Sequence, residues 1–273
     1  MGRLLLVLAG VGLVSAGLVH GSPSDSASAL QCLRDNLPSA LAMRVRAERD
    51  TAQGETLRQE WLYALSPSTK EEGQQQWLRL VAPAEVSGVV HLFRPLDGGV
   101  ERYSFLPALG RVRRVEGAAI AASLEEIMGL EALDSLRGWP ADATLSFGAV
   151  RTEAGRSVRP LYASRRVGTA AEARFERMEG RFDQATCLIL NMVWRDAEGR
   201  LRGRLSVDPH SLRQQDGHWL PARLMWESEA GLRSRLQVLE LRVAPPFARH
   251  VFDTRDFHRA GARELGLTET ATP

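Results

Sequence analysis

The side chains best equipped for chemistry in this 273-residue chain are six histidines, two cysteines and a few acidic pairs. Their spacing argues against a catalytic centre. His20, His91, His210, His218, His250 and His258 show neither H-x-x-x-H nor H-E-x-x-H spacing, and neither Cys32 nor Cys187 has a ligand residue close by. No metal site or other cofactor is therefore expected. Asp208-Pro209-His210-Ser211 brings carboxylate, imidazole and hydroxyl together. Pro209 marks a turn, however, and Ser211 sits in no G-x-S-x-G elbow, so a solvated loop is the better reading. Glu71-Glu72 and Glu125-Glu126 are adjacent in sequence, and adjacent acids on a helix point apart rather than share a proton. Asp97-Gly98-Gly99 has the composition of a tight hairpin turn and lacks the spacing of a phosphate cradle. No catalytic residue is assigned, and the chain is read as a non-enzyme.

Charge excludes a further class. Lys and Arg total 35 against 33 acids, a formal balance of +2, and Lys70 is the one lysine. The arginines are spread along the chain, whereas a nucleic-acid surface shows a clustered basic stripe with interleaved aromatics. No nucleic-acid partner is expected.

The N-terminus carries the pattern of an export signal. Met1-Gly2-Arg3 forms a short basic region, Leu4 to Val14 an apolar one, and Val14-Ser15-Ala16 and Val19-His20-Gly21 both offer small residues for cleavage. Residues 1–21 are assigned as a signal peptide, with an uncleaved anchor as the competing reading, and the product is expected in the periplasm. Cysteine is absent from both cleavage sites, which argues against a lipoprotein. In an exported chain an even cysteine count suggests a bridge. Cys32 and Cys187 are thus either joined or two buried thiols, and both readings stand at this point.

The elements needed to position these side chains are mainly strands. Trp77 to Arg114 holds four short apolar runs, Trp77–Val81, Val89–Phe93, Val100–Leu106 and Arg111–Val115. Pro83, Ser87-Gly88, Pro95, Asp97-Gly98-Gly99, Pro107 and Gly110 separate them, which reads as a meander of antiparallel strands. Before it, Ser22 to Ala29 reads as a flexible lead-in, Ala29–Leu37 as a helix, and Ala42–Arg49 and Thr56–Leu65 as strands. After Val115 the period becomes helical. Ala118 to Leu136 carries Ile120, Leu124, Ile127, Met128, Leu130 and Leu133, with Ser123 and Glu126 as a capping box. Strands return at Leu145–Arg151, Ser157–Arg166, Ala173–Glu179, Cys187–Trp194, Leu201–Val207, Trp219–Glu227 and Leu232–Val243. No linker or repeat interrupts the middle, so residues 22–265 are assigned to one domain and 266–273 to a flexible tail. Trp61, Trp77, Phe93, Phe105, Trp194, Trp219 and Trp226 sit in or beside strands, with many leucines. Such residues either fill a dry core or line an apolar cavity.

The segment RLVAPAEVSGVVHLF, followed by YSFLPALGRVRRV, resembles the outer-membrane lipoprotein-sorting family, relatives of the periplasmic carrier LolA. In that family an R-F-x-x-P-x-x-x-x-G segment leads into a strand and then a Y-x-P-x-x-x-R-V-R-R strand. The C-terminal DGHWLPARLMWESEAGLRSRLQVLELRVAPPFARHVFDTRDF is similar to the same fold's last strands, so the likeness spans most of Trp61–Phe257. One motif departs: the family's G-S-D-F/M-S-x-x-D after the arginine strand is replaced by EEIMGLEALDSL.

The resemblance implies an α+β fold, a strongly curved antiparallel sheet forming a half-open β-barrel with a helical lid. It implies an apolar cavity lined by Leu78, Leu80, Leu92, Phe93, Tyr103, Phe105, Trp194 and Trp226, with Ile127 and Leu130 on the lid. Arg111 and Arg113 would stand near the mouth to meet a headgroup, or else form an outward polar face. The implied cargo is an acylated lipoprotein or lipid, and a monomer is expected. A sensor of the cell envelope, or an accessory subunit of an inner-membrane lipid transporter, is the alternative on the same fold.

Overall fold

The computed structural model describes residues 23–51, 53–67, 73–96, 99–115, 143–165 and 177–269. The expected signal peptide and the expected lid over 118–136, with Ile127 and Leu130, lie outside the described residues.

One helix, α1 (Pro23–Asn36), opens the described chain. Pro23 suits a helix start, because a first-turn residue needs no intrahelical N–H partner. Helix thus replaces the flexible lead-in expected before Ala29. Ala29 and Leu33 face the core, and Gln31 bonds Asp35 one turn on, at 2.7 Å.

Among the described residues, sixteen strands follow. They are β1 (Leu41–Asp50), β2 (Thr56–Leu65), β3 (Gln76–Ala82), β4 (Val90–Leu96), β5 (Gly99–Leu106) and β6 (Arg111–Val115). After the undescribed stretch come β7 (Ala143–Phe147), β8 (Arg151–Glu153), β9 (Arg156–Arg165), β10 (Arg177–Asp183) and β11 (Leu188–Arg195). The last are β12 (Leu201–Val207), β13 (Leu212–Gln215), β14 (His218–Pro221), β15 (Arg223–Ser228) and β16 (Arg233–Val243). Fourteen form one antiparallel sheet in the order β6-β5-β4-β3-β2-β1-β16-β15-β12-β11-β10-β9-β7, with β8 also on β9. β13 and β14 pair separately. The sheet is open, ending at β6 and β7. Two expected strands are each two: β7 and β8 are separate, and Ala222 divides β14 from β15.

Strand alternation gives the sheet two apolar faces with different covers. The first face carries Met43, Val45, Trp61, Tyr63, Leu78 and Leu80 and continues through Leu236, Leu224, Leu205, Met192, Met178, Leu161 and Phe147. α1 packs here, and its Cys32 is disulfide-bonded to Cys187 between β10 and β11. Gly203 matters locally, because a side chain there would run into the Trp226 ring, which lies edge-on to Trp194.

The second face, under Ala42, Leu62, Ala64, Trp77, Val90 and Leu92, is covered by the C-terminal segment through Val251, Phe257, Ala260, Leu265 and Leu267. That segment winds as short 3-10 turns, so its carbonyls need donors, and the sheet supplies them. Trp77 Nε1 donates to the Phe257 carbonyl at 2.9 Å, Arg79 to Ala260 at 2.7 Å and Arg44 to Thr268 at 2.6 Å. Thr268 in turn donates to Glu240. Packing therefore continues past the domain end expected at residue 265, through buried Leu267 to Thr268.

Candidate functional site

Register lines up one cross-strand row on the first face. Met43 faces Tyr63, Tyr63 faces Leu78, Leu78 faces His91, His91 faces Ser104, and Ser104 faces Arg113. A parallel row runs from Leu65 through Gln76 and Phe93 to Arg102 and Val115. Moving from β2 to β6, about 19 Å at about 4.8 Å per strand, the face changes from apolar to polar and cationic. Arg111 lies on the same face of β6, one pleat from Arg113.

At the polar end three buried groups form a chain. His91, Ser104 and Arg102 are 3%, 4% and 8% exposed. Arg102 Nε donates to Ser104 Oγ at 3.0 Å, and Ser104 Oγ lies 2.9 Å from His91 Nδ1. Arg102 Nη2 also lies 3.4 Å from that nitrogen. A guanidinium can only donate, so Nδ1 is the acceptor and the imidazole proton sits on Nε2. Burial, and then the Arg102 charge, push the His91 pKa down to about 3, so the ring is neutral at ordinary pH. Burial also lowers the Arg102 pKa from its usual value. The guanidinium stands 5.9 Å from the Phe93 ring centroid, a cation–π distance.

The residues expected to line one cavity divide between the faces. Leu78, Leu80, Phe93, Trp194 and Trp226 are on the first face, the last packed beside Trp194. Leu92, Tyr103 and Phe105 are on the second, where Leu92 is buried and Phe105 stacks on His258 with centroids 4.5 Å apart. Leu92 is core there, Tyr103 and Phe105 are partly buried against it, and the three therefore do not share a face with the other five. The physical reason is the two-residue period, which sends neighbours such as Leu92 and Phe93 to opposite sides. Of the arginine strand, Arg111 and Arg113 share the first face, whereas Arg114 turns to the second and pairs with Glu101 at 2.6 Å.

His91, Arg102 and Ser104 went unrecognised in sequence. The signal available was their period-two match with Phe93 and Arg113 across β4 to β6. Asp208-Pro209-His210-Ser211 is a 3-10 turn in which Asp208 accepts from the His210 N–H at 2.9 Å and binds Arg223 at 2.6 Å. Its carboxylate is thus a cap and ion-pair partner, held below its usual pKa first by the Arg223 hydrogen bond. A cleft of about 480 Å³ lies over β1, β16, β15 and β12, lined by Arg46, Glu48, Asp208, Arg223, Arg235 and Gln237 among others. Arg235 pairs with Asp50, and Arg223 with Asp208, so opposite charges balance there. Among the described residues no cluster of three metal-ligating side chains occurs, and no helix is long and apolar enough to cross a membrane.

Solved structures share this arrangement. A DUF1329 family protein from Desulfovibrio piger superposes with TM-score 0.69 at 17% identity, covering 82% of this chain and 94% of its own. An outer-membrane lipoprotein-sorting protein domain from Vibrio parahaemolyticus gives TM-score 0.68 at 17% identity, covering 85% and 97%. A LolA superfamily protein from Nitrosomonas europaea gives 0.61 at 12%, covering 83% and 96%. The fold is LolA-like. No family model matches the sequence, and no curated protein matches it. The LolA-like likeness is therefore one of backbone architecture, carried at identities that establish fold alone.

Proposed function

We propose that this protein is an exported carrier that shields the acyl chains of a lipoprotein or lipid on the first face of its sheet. In this reading the open sheet is curled as a half-barrel, residues 118–136 form the lid, and the periplasm is the working compartment. The observation that carries it is the continuous layer of buried apolar side chains from Leu80 and Tyr63 across to Phe147, on which helix α1 packs through Ala29 and Leu33, whereas the C-terminal segment packs on the second face. Each CH₂ removed from water contributes about 0.8 kcal/mol, so a face of this kind competes with a membrane for an acyl chain without covalent chemistry. The Trp61 indole N–H is fully buried on this face and has no hydrogen-bond partner among the described residues.

The test is binding of a fluorescent fatty-acyl probe to the purified protein, alongside native mass spectrometry of protein isolated from the envelope. Saturable probe binding and a co-purifying lipid are expected. Ile127→Asp with Leu130→Asp should weaken probe binding while circular dichroism stays that of the wild type. A wild type that binds no probe would sink the carrier reading. Unchanged affinity in the folded double variant would remove the lid.

A further inference from the structure

We infer that the Cys32–Cys187 bridge is a redox latch: once a dithiol reduces it, helix α1 swings away from the first face about its own C-terminal end and uncovers the apolar layer beneath. The inference rests on the carrier reading and adds how access to that face is regulated.

Three features of α1 converge. First, its inward stripe is short. Ala29 and Leu33 are buried and Leu30 is partly buried, whereas Ala27, Gln31 and Arg34 are exposed. A single helix of 14 residues is marginal on its own, so so narrow a stripe gives it little hold. Second, the last turn carries a hinge. Asn36 Nδ2 donates to the Trp219 carbonyl at 2.9 Å, and Asn36 Oδ1 accepts from the Trp219 N–H at 2.7 Å. His218 Nδ1 lies 3.0 Å from the Asn36 carbonyl and donates to it. β14 thus grips α1 at its end, independently of the bridge. Cys32 lies one turn before Asn36 on the same side of the helix, and its bond to Cys187 is the covalent tie that keeps the earlier turns against the sheet. Third, the bridge can be reached. Both cysteines are half-buried, and Cys187 lies in the turn between β10 and β11 rather than in either strand. A thiolate of the dithiol attacks one sulfur and forms a mixed disulfide, and its second thiolate resolves that bond. The dithiol leaves as its own disulfide, and Cys32 and Cys187 keep two electrons and two protons as thiols.

The experiment compares the oxidised protein with the same protein reduced by dithiothreitol, using peptide-resolved amide hydrogen exchange and stopped-flow binding of the fluorescent acyl probe. On reduction the α1 amides should exchange about tenfold or more faster than before, and faster than those of β1 and β2, which open only with the sheet. The probe should associate and dissociate severalfold faster, and reoxidation should restore both readouts. Cys32→Ser with Cys187→Ser should behave as the reduced protein without dithiothreitol; reduction of the wild type supplies the same test without substitution. Equal α1 exchange in the two redox forms would overturn the latch. So would a helix that exchanges only together with β1 and β2, because the bridge would then be a staple of the whole fold. Faster α1 exchange with unchanged probe kinetics would overturn the control of access and spare the carrier. A probe that binds neither form would remove the carrier reading and the gating with it, while the exchange rates would still decide whether the helix is latched.

Discussion

His91 shows how position decides the chemistry of a residue. In sequence it is a lone histidine between apolar residues; in the sheet it is a buried acceptor for Ser104, beside the Arg102 cation. Its folded pKa, about 3, is below the ordinary 6.5, so between those values the unfolded chain binds the extra proton. Stability from the neutral ring is therefore complete above about pH 6.5 and is lost as pH falls toward 3, at up to about 1.4 kcal/mol per pH unit. Urea unfolding at stepped pH should show this acid-side slope in the wild type and a shallower one in His91→Gln, whose side-chain oxygen can still accept from Ser104. Parallel curves for the two proteins would mean that His91 contributes no linkage. Tyr103 and Phe105 teach the converse. Both were correctly legible as strand residues, yet their faces followed only from the pairing of Tyr103 with Leu92 and of Phe105 with Val90.

At the level of elements, the strands were readable because turn formers bracket them, and β2, β6 and β12 have the expected limits. Where expectation failed, a neighbour explains it. β4 continues through Pro95 because it pairs with β3 only as far as Phe93, so beyond that point one side of the strand has no ladder for a missing N–H to break. The C-terminal segment lacks hydrophobic periodicity and gave no sign of being a cover. It holds by a few anchors: Phe257 is fully buried, and its carbonyl accepts from Trp77. Phe257→Ala should cost about 3–5 kcal/mol through the cavity left behind, measured by chemical denaturation. Trp77→Phe, which keeps most of the ring and loses the N–H, should cost about 1–3 kcal/mol by leaving the Phe257 carbonyl without its donor. A Phe257→Ala protein as stable as the wild type would show that the segment is not an integral layer.

For the molecule as a whole, the Cys32–Cys187 bridge ties α1 to the far half of the sheet across a sequence separation of 155. Closing a loop of that size stabilises by about 5 kcal/mol in the chain-entropy model. Cys32→Ser with Cys187→Ser should lower the unfolding free energy by up to that amount, and non-reducing peptide mapping should recover the linked pair from wild type. Two alkylatable thiols in oxidised wild-type protein would refute the bridge. The sequence by itself determined a chain dominated by antiparallel strands, most of their positions, the turns between them and the lack of familiar metal-ligand or catalytic spacings. All of these are local, resting on residue type and on spacings of a few positions. Tertiary structure alone decided which cysteine reading holds and that Leu92, Tyr103 and Phe105 lie on the face that the C-terminal segment covers. It alone also brought His91, Arg102, Ser104 and Arg113 together. Alternation marks two faces on every strand but cannot say what covers each. That depends on register across many strands and on segments as distant as Trp77 and Phe257, which no local pattern encodes.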